Sequence, residues 1–118
     1  MKVIIAGARW ETSMKKVDDA VKASGFEISE VVCGEARGVD RLGSQWASLN
    51  GIIVTSFPAN WSGLGKYAGP ARNEAMAKYA DALIAIPHKR SIGTFDMIAK
   101  ARKHGLPVYV VPIDQEQE

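Results

Sequence analysis

The sequence predicts an α/β protein: a Rossmann-like three-layer αβα sandwich on a five-stranded parallel sheet. Three observations predict it. Five short apolar runs each stop at or near a glycine or proline. Four stretches with apolar residues at helical spacing alternate with those runs. The runs are also apolar along their whole length, as strands are when both faces are buried between helix layers. Right-handed crossovers then wind the sheet doubly, and ligands bind such sheets at the carboxyl ends of the strands, near the switch in strand order.

The elements follow in order. Val3-Ile4-Ile5-Ala6, bounded by Gly7, reads as the first strand. Residues 13–24 read as a helix with Met14, Val17, Ala20 and Val21 on one face and Gly25 as its stop. Val31-Val32-Cys33 is the second strand. Residues 39–49 are helical, with Leu42, Trp46 and Leu49 on one face. Residues 52–57 form the third strand, ended by Pro58. Residues 60–69 hold several glycines and little periodicity, so they read as a long loop, the kind that often carries function. Pro70 suits a first helical position, opening a helix that ends before Asp81, with Ala75, Met76 and Tyr79 inward. Residues 82–86 are the fourth strand, residues 94–104 a helix with Met97, Ile98 and Ala101 inward, and residues 108–111 the fifth strand. The expectation is one domain over residues 1–113, followed by a polar tail over 114–118.

Composition excludes several classes. The chain has 118 residues, 47% of them hydrophobic and 24% charged, within the ordinary range for a globular domain. A net charge of +2 admits an anionic small ligand and falls far short of a polybasic protein. The single cysteine, Cys33, rules out an intrachain disulfide and points to a reducing, cytoplasmic setting. The N-terminal apolar run is too short for a signal peptide or a membrane span. No His, Cys and Asp cluster has metal-site spacing, and no cofactor is expected. The G-x-G-x-x-G fingerprint and the P-loop are both missing, which argues against a dehydrogenase or NTPase of those types.

Chemistry concentrates in four glycine-bearing loops: Gly7-Ala8-Arg9, Gly34 to Asp40, Gly69 to Glu74, and Ser91 to Asp96. Each follows an apolar run and precedes a helix. A close-approaching backbone, a helix N-terminus and a cation together make a phosphate site. The candidate ligand-binding residues are Gly7, Arg9, Gly34, Glu35, Arg37, Gly38, Asp40, Arg72, Asn73, Ser91, Gly93 and Thr94. Arg37 and Arg72 fall at predicted helix starts, where a cation opposes the helix dipole by about 0.3–1 kcal/mol. A bound phosphate would reverse that sign and accept bidentate hydrogen bonds. Pairing with Glu35 and Glu74 is the alternative. Asp40 has two readings, a contact to ribose hydroxyls or a complement to the dipole. Thr94 suits an N-cap. Asp96 and Glu74 are the candidate catalytic carboxylates, each also placed to serve a dipole. Trp10 reads as stacking on a base or packing; for Trp10, Trp46 and Trp61 the core reading is taken. His88, Lys89 and Arg90 read as a solvated basic loop, and His104 as a dipole complement.

The runs Cys33 to Arg41, Pro58 to Trp61, Ala68 to Met76, Ala80 to Ala85 and Ser91 to Thr94 together resemble the YspA-like (YAcAr) family of the SLOG superfamily. That superfamily also holds the Lonely-guy cytokinin-activating enzymes and DNA-processing protein A. The resemblance implies a Rossmann-like domain that binds a nucleotide or nucleotide-derived ligand, such as one like NAD or ADP-ribose. It also implies a homodimer, and Arg72 resembles the family's helix arginine. Lonely-guy enzymes carry Pro-Gly-Gly-x-Gly-Thr-x-x-Glu; here Met97 stands at the glutamate's position and Asp96 one residue earlier. Three functions follow as expectations. The first is a binding or sensing module for a nucleotide. The second is a nucleotide N-glycosidase with Asp96 or Glu74 as general base. The third, least favoured at this charge, is single-stranded DNA binding.

Overall fold

A computed structural model describes residues 1–11, 13–34 and 38–113. Glu35, Arg37 and the predicted tail at 114–118 lie outside the described residues. Five strands form one sheet: β1 (Lys2–Gly7), β2 (Glu30–Cys33), β3 (Ile53–Ser56), β4 (Ala82–Ile86) and β5 (Val108–Val110). The helices are α1 (Met14–Ser24), α2 (Val39–Leu49), the short α3 (Trp61–Leu64), α4 (Ala68–Tyr79) and α5 (Ile92–Lys103). Every strand pair is parallel, in the order β3-β2-β1-β4-β5. The predicted α/β Rossmann-like sandwich is therefore the observed fold. The strand order reverses beside β1, so its switch point lies between β1 and β4.

Alternation along β1 divides the core. Val3 and Ile5 face α1 and α2 with Val17, Ala20, Val39, Trp46 and Ala47. Ile4 and Ala6 face α4 and α5 with Met76, Ala77, Met97, Ile98 and Ala101. A strand's two-residue period produces this split directly. Local signals set the helix ends. Ser13 caps α1 by accepting from Lys16 N, and Gly25 closes it in the left-handed region.

Several expectations are corrected. Residues 60–69 are not a loop: Asn60 caps α3 by accepting from Gly63 N, and a 3₁₀ turn (Gly65–Tyr67) leads into α4. Pro70 is thus the third residue of α4, and Arg72 the fifth, beyond the first turn. The predicted clash of Arg72 with the helix dipole disappears. Ser91, not Thr94, occupies the N-cap of α5. Leu49 and Ala75 face solvent instead of the core. β3 is an edge strand with Ile53 exposed, so whole-length apolarity there does not mean burial.

One polar cluster fastens β2, β3 and α4. The Glu30 carboxylate accepts from Thr55 Oγ1 at 2.9 Å and from the Tyr79 hydroxyl. The hydrogen bonds from Tyr79 and Thr55 hold Glu30 below the usual carboxylate range, and Glu30 pushes Tyr79 up. A depressed carboxylate adds stability above its unfolded pKa, and that stability is lost as pH falls through the folded one. Tyr79→Phe is therefore expected to lower Tm by a few degrees at pH 7. The gap from wild type should shrink on acidification towards pH 3, as pH falls through the lowered folded pKa of Glu30. Melting curves at the two pH values check this; a gap that grows on acidification contradicts it.

Candidate functional site

The carboxyl ends of β1 and β4 open on a cavity of about 280 Å³. It lies at the topological switch point, where doubly wound sheets bind ligands. Ala6 and Gly7 end β1 at its floor, beside Met76 of α4 and Met97 of α5. Asp40 enters from the first turn of α2, while Arg72 and Asn73 come from α4. Ser91 to Thr94 bring in the start of α5, and Arg9, Trp10 and Arg90 complete the rim. Three arginines thus face one carboxylate in the wall.

Backbone hydrogen bonds hold these loops together. Ala8 N donates to Ile86 O at 3.0 Å, joining the ends of β1 and β4. Val39 N donates to Ala8 O at 3.1 Å, fixing the start of α2 against the loop after β1. Gly38 makes that approach possible. Its φ is 70°, and a Cβ there would overlap Ala8 O and stand 2.5 Å from Arg9 O. Glycine alone accepts such a backbone so close to another.

Arg72 is anchored on one side. Its Nε donates to Asn73 Oδ1 at 3.1 Å and its Nη1 to Gly34 O. The guanidinium lies close against Gly34, where a Cβ would fall 2.7 Å from Cζ. Among the described residues its Nη2 has no hydrogen-bond partner. Asn73 is buried, and its amide is fully occupied: Nδ2 donates to Gly93 O at 3.1 Å and to Asp96 Oδ2 at 2.9 Å. Asn73 therefore binds α4 to the start of α5 and aims Arg72. At that start, the Ser91 side chain caps no N–H of α5; its hydroxyl accepts from His88 N at 2.9 Å instead. The first-turn N–H groups of α5 at the cavity are left without a side-chain cap, as an anion site requires.

The sequence-predicted residues separate into three groups. Gly7, Arg9, Asp40, Arg72, Asn73, Ser91, Gly93 and Thr94 meet in the cavity wall. Gly34, Gly38, Asp96 and Glu74 stand outside it. Gly34 and Gly38 support wall residues from behind. Asp96 is held by Lys100 Nζ at 2.6 Å, and Glu74 bonds His104, which keeps the Glu74 carboxyl below its ordinary pKa. Glu35 and Arg37 fall among the undescribed residues. Glu74 thus pairs with His104 and not with Arg72.

Arg90, Trp10 and His88 stand differently from their reading as solvated loop or core. Arg90 joins the rim because the loop after β4 turns into α5 at the cavity; its position after a strand's carboxyl end was the available signal. Trp10 is 56% exposed and Trp61 57% exposed, against the core reading of both. Trp46 is buried as expected, its Nε1 donating to Asp18 Oδ1 at 3.2 Å. His88 is not solvated: its side chain is 13% exposed, and its Nδ1 accepts from Trp10 Nε1 at 2.7 Å. Among the described residues no group of His, Cys, Asp and Glu is arranged to hold a metal ion.

Comparison with known proteins places these features in a family context. A sequence profile of the family described as YspA, cpYpsA-related SLOG (YAcAr) matches residues 1–63. The Gene 61 protein of Mycobacterium phage D29 is 36% identical over 117 residues, covering 91% of this chain and 93% of that protein. In fold, the chain is similar to the X-ray structure of DNA processing protein A (DprA) from Streptococcus pneumoniae, with a TM-score of 0.78 at 20% identity. That alignment covers 97% of this chain and spans 51% of the DprA chain.

Proposed function

The chain belongs to the YspA, cpYpsA-related SLOG family, and from that premise we propose that it binds a nucleotide or nucleotide-derived ligand at the cavity between β1 and β4. The observation that carries this reading is the pairing of Arg72, held from behind by Gly34 and Asn73, with the uncapped start of α5. A fixed guanidinium and the first-turn N–H groups of Gly93 and Thr94 in one wall suit a phosphate. Arg9 and Arg90 add positive charge at the rim, and Asp40 is the carboxylate placed to accept from ribose hydroxyls. Ligand pockets run from about 300 to 1,000 Å³. This cavity, at about 280 Å³, falls just below that range, which favours a mononucleotide over an extended dinucleotide.

Binding is favoured over N-glycosidic cleavage by one position. Met97, where the Lonely-guy motif has its glutamate, lies in the cavity floor. Asp96 and Glu74 would have to leave Lys100, Asn73 and His104 to reach a sugar. A nucleic-acid reading draws on the neighbour's name, DNA processing protein, and on the exposed Trp61 and Tyr67 beside α4. It calls for a basic groove with stacking aromatics. No helix is long and apolar enough to cross a membrane among the described residues. We take the setting as cytoplasmic and the chain as a homodimer, the latter to be tested by sedimentation.

The test is a melting panel of nucleoside mono- and diphosphates, NAD and ADP-ribose, with ligand integrity followed by chromatography. A binder at a hundred times its Kd adds about 2.7 kcal/mol, or roughly 10 °C in Tm for a chain of this size. Stabilisation with intact ligand is the expected result. Free base in the eluate, lost in Asp96→Asn, supports cleavage instead. Salt-sensitive oligonucleotide binding without any mononucleotide effect supports the nucleic-acid reading.

A further inference from the structure

An exposed indole at a ligand cavity calls for a physical reason. Trp10 lies in the turn after β1, between Ala8 at 1% exposure and Glu11 at 9%, yet is itself 56% exposed. It is nevertheless held in one orientation. Its Nε1 donates to His88 Nδ1 at 2.7 Å, and the ring centroids stand 5.0 Å apart with planes at 79°. An indole N–H only donates, so Nδ1 is the bare nitrogen of His88 and the imidazole proton is on Nε2. That Nε2 is buried without a hydrogen-bond partner among the described residues, 3.9 Å from Glu11 Oε1. His88 is itself fixed by the turn that starts α5: its N donates to Ser91 Oγ, and Ser91 N donates to His88 O at 3.1 Å. The loop after β4 thus holds the indole by its N–H edge and leaves more than half of the residue exposed.

We propose that Trp10 is the base-stacking platform of the cavity, so that the ligand class is a nucleotide bearing an aromatic base. This rests on the nucleotide reading of the same cavity. The base lies on the indole face, while the phosphate meets Arg72 and the first turn of α5. Holding the indole in advance by His88 removes the entropy loss of ordering it on binding. Stacking accepts every base, because every base has a π-face. The site therefore tells a nucleotide from a sugar phosphate far better than it tells one base from another.

The experiment titrates adenosine monophosphate and ribose 5-phosphate into wild type, Trp10→Ala and Trp10→Phe, with tryptophan fluorescence as a second readout. Wild type is expected to prefer adenosine monophosphate by roughly 10- to 100-fold. Trp10→Ala removes that preference by weakening the nucleotide alone. Trp10→Phe keeps most of it, because a phenyl ring still stacks. Adenosine monophosphate should quench wild-type emission, and the quenching should vanish in Trp10→Phe. Equal nucleotide affinity in wild type and Trp10→Ala overturns the stacking role and leaves the nucleotide reading standing. Equal weakening of both probes also overturns it, since the indole would then be shaping the wall. If neither probe binds wild type, the nucleotide reading fails first, and this inference with it.

Discussion

Arg72→Ala is expected to weaken binding of a nucleoside monophosphate by roughly 10- to 100-fold, the most of any single side-chain removal at the cavity. A hydrogen bond to a charged group contributes about 1.5–3 kcal/mol, and Arg72 is the cation whose geometry is fixed before the ligand arrives. Gly34 O and the Asn73 amide hold Nη1 and Nε. They leave the far edge of the guanidinium for the phosphate. Arg72→Lys should not rescue binding, because an ammonium cannot keep the contacts to Gly34 O and Asn73 Oδ1 and present a planar edge as well. Calorimetric titration of the three proteins measures the effect. Circular dichroism separates it from unfolding, since Arg72 is only half-buried. Unchanged affinity in Arg72→Ala would remove the cation from the account.

Gly38→Ala carries the largest expected effect on stability. The residue sits at φ 70°, ψ −125°, a conformation that costs a side chain about 1–3 kcal/mol. The new Cβ would also press on Ala8 O and Arg9 O, and overpacking of that kind costs about 1–3 kcal/mol more. The sum is about 2–6 kcal/mol, a large part of the stability of a small domain. Gly25→Ala is the matched comparison. It has nearly the same φ, 71°, but no atom within 4 Å of its Cβ, so only the backbone cost of about 1–2 kcal/mol remains. Denaturant unfolding of both variants checks the difference. Equal losses would mean that the loop after β1 yields freely, and that Gly38 does not fix the rim carrying Arg9 and Trp10.

The legible parts of the sequence were those written in local chemistry. Val3 to Ala6 ends at a glycine and Ala82 to Ile86 at a proline, so both strands could be read from their own residues. The same holds for the inward face of α5, where Met97, Ile98 and Ala101 repeat at helical spacing. What escaped was decided by distant neighbours. Ile53 reads as a core residue, but β3 is the sheet's edge, and strand order is not a local property. Trp61-Ser62-Gly63-Leu64 is too short for periodicity to reveal α3; Asn60 as a cap was the available clue. His88 looked solvated between Pro87 and Lys89. It is covered because β1 and β4 are adjacent, which brings Trp10 and Glu11 against it. Within the site, glycines and arginines were legible as types. Their division between wall and support was not, because Gly34 and Gly38 act by letting Arg72 and Ala8 come close.

Heteronuclear NMR of the labelled protein during titration with adenosine monophosphate tests the central claim most directly. The account predicts saturable shifts concentrated in the amides of Gly7, Arg9, Gly93 and Thr94 and in the side-chain resonances of Arg72 and Trp10. Little change is predicted along β3 or at the outer face of α1. Shifts that saturate elsewhere, or no shift in the Gly93 and Thr94 amides at a concentration that occupies the protein, would contradict a nucleotide site between β1 and β4.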